Sequence, residues 1–159
     1  MNKFLKITYI FLILFIFSGC ANLQISKVSN TFAITILSPI IKINDVGFLH
    51  KTSNSLNLQI YSSAVNLANI KISEQICISA VCYEKKDFNK IFFLNEHYDE
   101  FFREILERQP IYNGQNLVTN ECGFSQNLSK YSIQYEVCNK NIRFNDAKNR
   151  IKIIIKELE

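Results

Sequence analysis

The stretch Ile142-Arg-Phe-Asn-Asp-Ala-Lys-Asn-Arg-Ile-Lys-Ile-Ile-Ile155 decides what kind of fold this chain takes. Ile142 and Phe144 alternate with polar neighbours, Asp146 to Asn149 forms a turn, and Ile151, Ile153 and Ile155 resume the alternation with Lys152 and Lys156 on the opposite face. A side-chain period of two marks a strand buried on one face, and two such runs across a short polar turn make a hairpin. Just upstream, Tyr131, Ile133, Tyr135 and Val137 alternate with Ser132, Gln134 and Glu136, and Asn139-Lys140-Asn141 turns the chain back.

The same pattern runs through the first half. After the turn signal Ser53-Asn54-Ser55, Leu56, Leu58 and Ile60 alternate with Asn57, Gln59 and Tyr61. Ser62 to Asn66 is a loop, and Ile70, Ile72, Ile76 and Ile78 carry further strands, which suits an antiparallel meander. Phe32 to Ile43 is apolar and β-branched but broken by Ser38-Pro39; the spacing predicts a strand that begins after Pro39 and runs through Ile41 and Ile43 towards Phe48. Asn44-Asp45 and Gly47 are places for a bend or bulge.

Between these blocks the period changes. Phe88, Ile91 and Phe92 recur at helical spacing, as do Tyr98, Phe101, Phe102, Ile105 and Leu106. Glu96, Asp99 and Glu100 precede the second run, Arg108 follows it and Pro110 stops it, an arrangement that suits a helix dipole. The expected fold is mainly β (α+β): a twisted antiparallel sheet or incomplete β-barrel, with two short amphipathic helices packed on its inner face.

The N-terminus reads as an export signal. Lys3 and Lys6 precede an apolar run from Ile7 to Phe17, and Phe17-Ser18-Gly19-Cys20 follows. The run is short for a membrane span, which needs about 20 residues. The segment resembles a bacterial lipoprotein signal, although Phe17 stands where that pattern usually has Leu. The likeness implies that Cys20 becomes the lipidated first residue of the mature chain. An ordinary signal peptide or a single anchor with a chance Cys is the alternative. The resulting division is a signal peptide over 1–19, a lipidated Cys and tether over 20–31, and one β-rich domain over 32–159. Ala21 after the Cys is compatible with the outer membrane.

The chain carries a net charge of +4, of which Lys3 and Lys6 lie in the signal, and no block of like charge. Nucleic-acid binding by charge alone is unsupported. Cys20 apart, Cys77, Cys82, Cys122 and Cys138 remain. Four thiols allow three pairings, and an oxidising compartment favours disulfides. Local pairing fits best: Cys77 and Cys82 flank Ile-Ser-Ala-Val, and Cys122 and Cys138 face each other across a hairpin centred on Lys130. The spacings are not those of common zinc motifs. The two histidines, His50 and His97, read as solvated or hydrogen-bonded surface groups. No nucleophile–base–orienter set can be assembled, so no catalytic residue, metal or cofactor is assigned.

Three stretches are similar to the LolB family of outer-membrane lipoprotein receptors. Leu58-Gln-Ile-Tyr-Ser-Ser-Ala-Val-Asn-Leu-Ala-Asn-Ile-Lys-Ile72 looks like that family's paired strands around a protruding loop. Phe101-Phe-Arg-Glu-Ile-Leu-Glu-Arg-Gln-Pro-Ile111 looks like its helix and proline turn, and Ile142 to Leu158 looks like its closing hairpin. The chain departs from the family in lacking Trp and in carrying the four extra cysteines. The resemblance implies an incomplete barrel whose helices lid a hydrophobic cavity. A periplasmic LolA-type carrier would deliver lipoprotein cargo there, and the acyl chains would pass on into the outer membrane. The implied lining is Leu58, Ile60 and Ile72, then Phe88, Phe92, Phe101, Phe102 and Ile105, then Tyr135, Phe144 and Ile153. The family's protruding leucine maps to Ala64 or Val65, with Val65 the better wedge. The implied protein is a monomer, lipid-anchored through Cys20 and facing the periplasm. The alternative is a small structural or interaction lipoprotein with a filled core and no transport role.

Overall fold

The structure, a computed structural model, describes residues 30–158. The expected signal peptide, Cys20 and the expected tether up to residue 29 lie outside the described residues. The strands are β1 (Asn30–Leu37), β2 (Lys42–Lys51), β3 (Leu56–Ser62), β4 (Val65–Ile72), β5 (Ile76–Ile78) and β6 (Val81–Tyr83), then β7 (Leu117–Asn120), β8 (Gly123–Leu128), β9 (Ile133–Cys138), β10 (Asn141–Asp146) and β11 (Ile151–Glu157). Helices α1 (Lys85–Phe93) and α2 (Phe101–Leu106) separate β6 from β7. The strands form one 11-stranded antiparallel sheet in the order β6-β5-β4-β3-β2-β1-β11-β10-β9-β8-β7. Read from β7 it is a simple meander, with β11 paired to β1 in the middle and β6 and β7 left as edges. The sheet therefore does not close on itself, and the chain between its two edges is the helical crossover.

The quoted hairpin behaves as its period requires. Ile142 faces Ile155, Phe144 faces Ile153 and Asp146 faces Ile151. Ile151, Ile153 and Ile155 are buried while Lys152 and Lys156 are exposed. The opposite half does the same: Leu56, Leu58 and Ile60 are buried and pair with Ile72, Ile70 and Ala68. Burying a large aliphatic side chain contributes about 1.5–3 kcal/mol, so this inner face dominates stability.

Three expectations are corrected. A strand precedes Ser38-Pro39: β1 begins at Asn30, inside the expected tether, and buries Phe32, Ile34 and Ile36. Phe32, Ile34 and Ile36 alternate with Thr31, Ala33 and Thr35, but Ala33 and the exposed Leu37 leave two of the outward positions apolar, which blurs the face. Ser38-Pro39 is the turn between β1 and β2, where Ser38 Oγ accepts from Ile41 N at 3.1 Å. Second, β2 runs unbroken past Asn44, Asp45 and Gly47; the register shift lies at Ile60/Tyr61 instead. Gly47 answers a close approach, since a Cβ there would sit 2.3 Å from Ile34 Cδ1 and 2.6 Å from the Gln59 carbonyl oxygen. Third, Tyr98 precedes α2 rather than opening it.

Both locally predicted disulfides are present. Cys77–Cys82 ties β5 to β6, and Cys122–Cys138 ties the start of β8 to the end of β9. The β8–β9 connection is a 3-10 turn, Ser129–Tyr131, centred on Lys130 as expected.

Candidate functional site

The crossover lies on the buried face of the sheet, and its phenylalanines define the candidate site. Phe88, Phe92, Phe93, Phe101 and Phe102 are fully buried. Phe88 stacks on Phe92 and on Phe102, at ring-centroid distances of 5.1 and 5.2 Å. Phe93 meets Phe101 edge-on at 5.0 Å and the sheet residue Phe144 at 5.8 Å. Edge-to-face and offset contacts at such distances add about 0.5–1.5 kcal/mol each beyond area burial. In both helices an adjacent Phe-Phe pair points two rings into the same core.

The structure brings all the expected lining residues into one cluster. Leu58, Ile60, Ile72, Phe88, Phe92, Phe101, Phe102, Ile105, Tyr135, Phe144 and Ile153 are each buried to 1% exposure or less. Their side chains close on one another as a packed interior. Phe93, not assigned to the lining, turns out to be central; its signal was the Phe92-Phe93 doublet. A pocket of about 650 Å³ opens on the other face of the sheet, lined by Arg143, Lys152, Ile154 and Lys156 among others.

Few polar links hold the crossover to the sheet, and those that do run through side chains. Tyr135 Oη donates to the Ile105 carbonyl at 3.3 Å. Arg103 Nη2 donates to the Ile72 carbonyl at 3.2 Å, and Arg108 Nε donates to the Lys140 carbonyl at 2.7 Å. The exposed pair Lys51–Glu107 closes at 2.9 Å. Gln126 is the strongest clip. Its Oε1 accepts from Ile111 N at 2.8 Å, and its Nε2 donates to the carbonyls of Ile111 and Gln115 at 2.9 and 2.7 Å. The amide thereby satisfies backbone groups that no strand pairs, a role sequence reasoning missed because Gln126 resembles any polar strand residue.

A small polar network underlies the turn between the helices. Asn89 is buried and its Nδ2 donates to the carbonyls of His97 and Tyr98. His97 corrects the sequence reading: it is 2% exposed rather than a surface group. Its ring stacks on Phe101 at 3.8 Å, and Nδ1 shares a 2.6 Å hydrogen bond with Tyr112 Oη. Nε2 has no hydrogen-bond partner among the described residues. Burial holds the imidazole pKa down to about 4, against a weaker upward pull from Asp146. Tyr98 Oη donates to Glu104 and accepts from Tyr112 N at 2.9 Å. Burial raises the Glu104 carboxyl above its usual range, with the Tyr98 hydrogen bond opposing. Tyr98, Tyr112 and Tyr135 are all pushed up, chiefly by burial, so each stays a neutral phenol. These groups fix the crossover through hydrogen bonds and ring contacts. His50 is half-buried beside Phe48 on the outer face, far in the sheet order from His97's neighbours.

The β3–β4 hairpin carries the other predicted element. Ser63 and Ala64 both take left-handed backbone, with φ of 48° and 65°, the geometry of a tight two-residue turn whose twist matches the strands. Val65 is 62% exposed and Leu67 49%. Among the described residues no helix is long and apolar enough to cross a membrane, and no group of three or more His, Cys, Asp or Glu could hold a metal ion. No family model matches the chain, and no curated protein matches its sequence.

Proposed function

We propose that this chain is a lipid-anchored, LolB-like receptor that takes up lipoprotein acyl chains between its sheet and its helical crossover and releases them into the outer membrane. The observation that carries the reading is the crossover itself. An unclosed 11-stranded sheet is covered on its apolar face by two short helices. Those helices meet it through phenylalanine rings and a few side-chain hydrogen bonds. In this reading the crossover acts as a lid, with aromatic rings occupying the volume that acyl chains would take. Displacing the lid exposes Leu58, Ile60, Ile72, Phe144 and Ile153 beneath it. Each CH₂ buried there contributes about 0.8 kcal/mol, the same as in a bilayer. The acyl chain itself is thus near balance between the two sites, the cost of displacing the rings from the sheet favours release, and no covalent step is needed. Ala64-Val65, exposed at a hairpin tip, supplies the element that enters the target membrane.

The filled interior supports a second reading, a structural or interaction lipoprotein of the cell envelope, because every proposed lining residue is already packed. Binding separates the two. An acylated peptide with an environment-sensitive label is titrated into the protein. The receptor reading expects saturable binding and loss of protection in the crossover by hydrogen exchange. Absence of binding at any peptide concentration below its aggregation limit selects the structural reading. In the receptor reading, Val65→Glu leaves uptake intact and slows unloading into liposomes.

A further inference from the structure

The two ends of the sheet differ in chemistry. In an antiparallel meander alternate turns share an end. Residues 38–41, 63–64, 79–80, 129–132 and 147–150 therefore lie at one end, and residues 52–55, 73–75, 121–122 and 139–140 lie at the other. Of the ten exposed large hydrophobics among the described residues, four lie in or directly beside the first set: Leu37, Ile40, Val65 and Val81. They come from three hairpins of one half of the sheet. The hairpins of the other half bring Lys130, Lys148 and Arg150 to the same end, and Lys42 opens β2 there; all four are exposed. None of these cations forms an ion pair among the described residues.

The five turns of the first end contain no Asp or Glu. The carboxylate nearest these turns in sequence, Asp146, is buried and engaged by Asn149 N and Nδ2 at 3.0 and 2.8 Å, and exposed Glu96, beside His97, is paired with Lys90 at 3.1 Å. The turns of the opposite end contain Glu74, Glu121 and a lysine, Lys140, that is paired with Glu157, and the one large exposed hydrophobic residue directly beside them among the described residues is Leu158, just past β11.

From this polarity we infer that the end bearing Pro39-Ile40, Ala64-Val65 and Ala80-Val81 docks as a unit on an anionic lipid surface. The three apolar tips enter the interfacial zone, and Lys42, Lys130, Lys148 and Arg150 sit against the headgroups. A lone exposed valine needs no explanation, but neighbouring apolar tips do. Apolar side chains flanked by acid-free cations are the combination that holds a protein in the plane of an anionic bilayer. A protein partner of ordinary acidic character would satisfy the cations but would leave three separated tips without a shared apolar pocket. The inference is independent of acyl-chain uptake and holds for a filled core.

The test uses the full chain in phosphatidylcholine vesicles with and without phosphatidylglycerol. An environment-sensitive fluorescent residue replaces Ile40, Val65 or Val81 at one end, or Asn54, Glu74 or Asn139 at the other. The expected result is blue-shifted emission and quenching by lipid-borne quenchers at all three of the first set and at none of the second. It should strengthen with phosphatidylglycerol and weaken in salt. Lys148→Glu with Arg150→Glu should lower the inserted-to-free ratio by about fivefold or more per position. Quenching at Val65 alone, equal quenching at both ends, or indifference to lipid charge would each overturn the inference.

Discussion

Acidification should loosen this protein through His97. The imidazole is buried against Phe101 and hydrogen-bonded to Tyr112. Its folded pKa of about 4 lies below the ordinary value of 6.5. Above the unfolded value both states are neutral and the residue costs nothing. Below it the unfolded chain takes a proton that the folded chain refuses, so stability falls as pH falls, until the folded pKa is reached. Each pH unit in that window is worth about 1.4 kcal/mol. Partial solvation of the charged form trims the total to about 2 kcal/mol. Glu104 works in the opposite sense: its raised carboxyl is a cost at neutral pH that disappears on acidification. The effect is therefore read as a difference. Urea unfolding of wild type and His97→Phe is followed by circular dichroism from pH 7.5 to 4.5 with the disulfides intact. The stability gap between them should shift by about 2 kcal/mol in favour of the variant across that range. The same comparison in a Glu104→Gln background should keep the shift. A gap that does not change with pH refutes the burial argument.

Other perturbations have defined outcomes. Phe102→Ala empties the centre of the ring cluster and should cost about 3–5 kcal/mol in chemical denaturation. Gln126→Ala leaves Ile111 N unpaired and removes one donor from the Ile111 and Gln115 carbonyls, and should cost about 1–3 kcal/mol, with faster hydrogen exchange confined to residues 107–116. Gly47→Ala drives a methyl into the Gln59 carbonyl; a destabilisation of about 1–3 kcal/mol is expected from thermal melts. The disulfides close loops of 16 and 5 residues, so removing Cys122–Cys138 should cost about 3 kcal/mol and Cys77–Cys82 about 2 by the chain-entropy argument.

The sheet was legible wherever period two was clean, as in Leu56–Ile60 and Ile142–Ile155, because one face meets water and the other the core. It failed at β1, a strand in the middle of the sheet, whose outward face mixes Thr31 and Thr35 with Ala33 and Leu37 and so is only half marked by polar residues. Local disulfides were readable because each pair flanks a short turn. The site was legible as a set of apolar residues but not as a state. Nothing in the spacing of Phe88, Phe92 and Phe102 tells whether rings pack on each other or leave room between them. That depends on how far the crossover descends on the sheet, which Gln126 and Tyr135 help fix from distant positions. His97 was misread for a related reason: its burial comes from Phe101 and Tyr112, neither of which its immediate neighbours in sequence reveal as a roof.

Cargo transfer decides whether the crossover is a lid. Labelled lipoprotein is loaded on a LolA-type carrier and mixed with the full-length protein. Transfer is compared before and after a short bifunctional linker joins Lys51→Cys to Glu107→Cys, which clamps α2 to β2 where the native pair meets at 2.9 Å. The account predicts transfer to the free protein, its loss in the clamped one and its recovery when the linker is cleaved. No transfer to the free protein, or equal transfer with the crossover clamped, contradicts it.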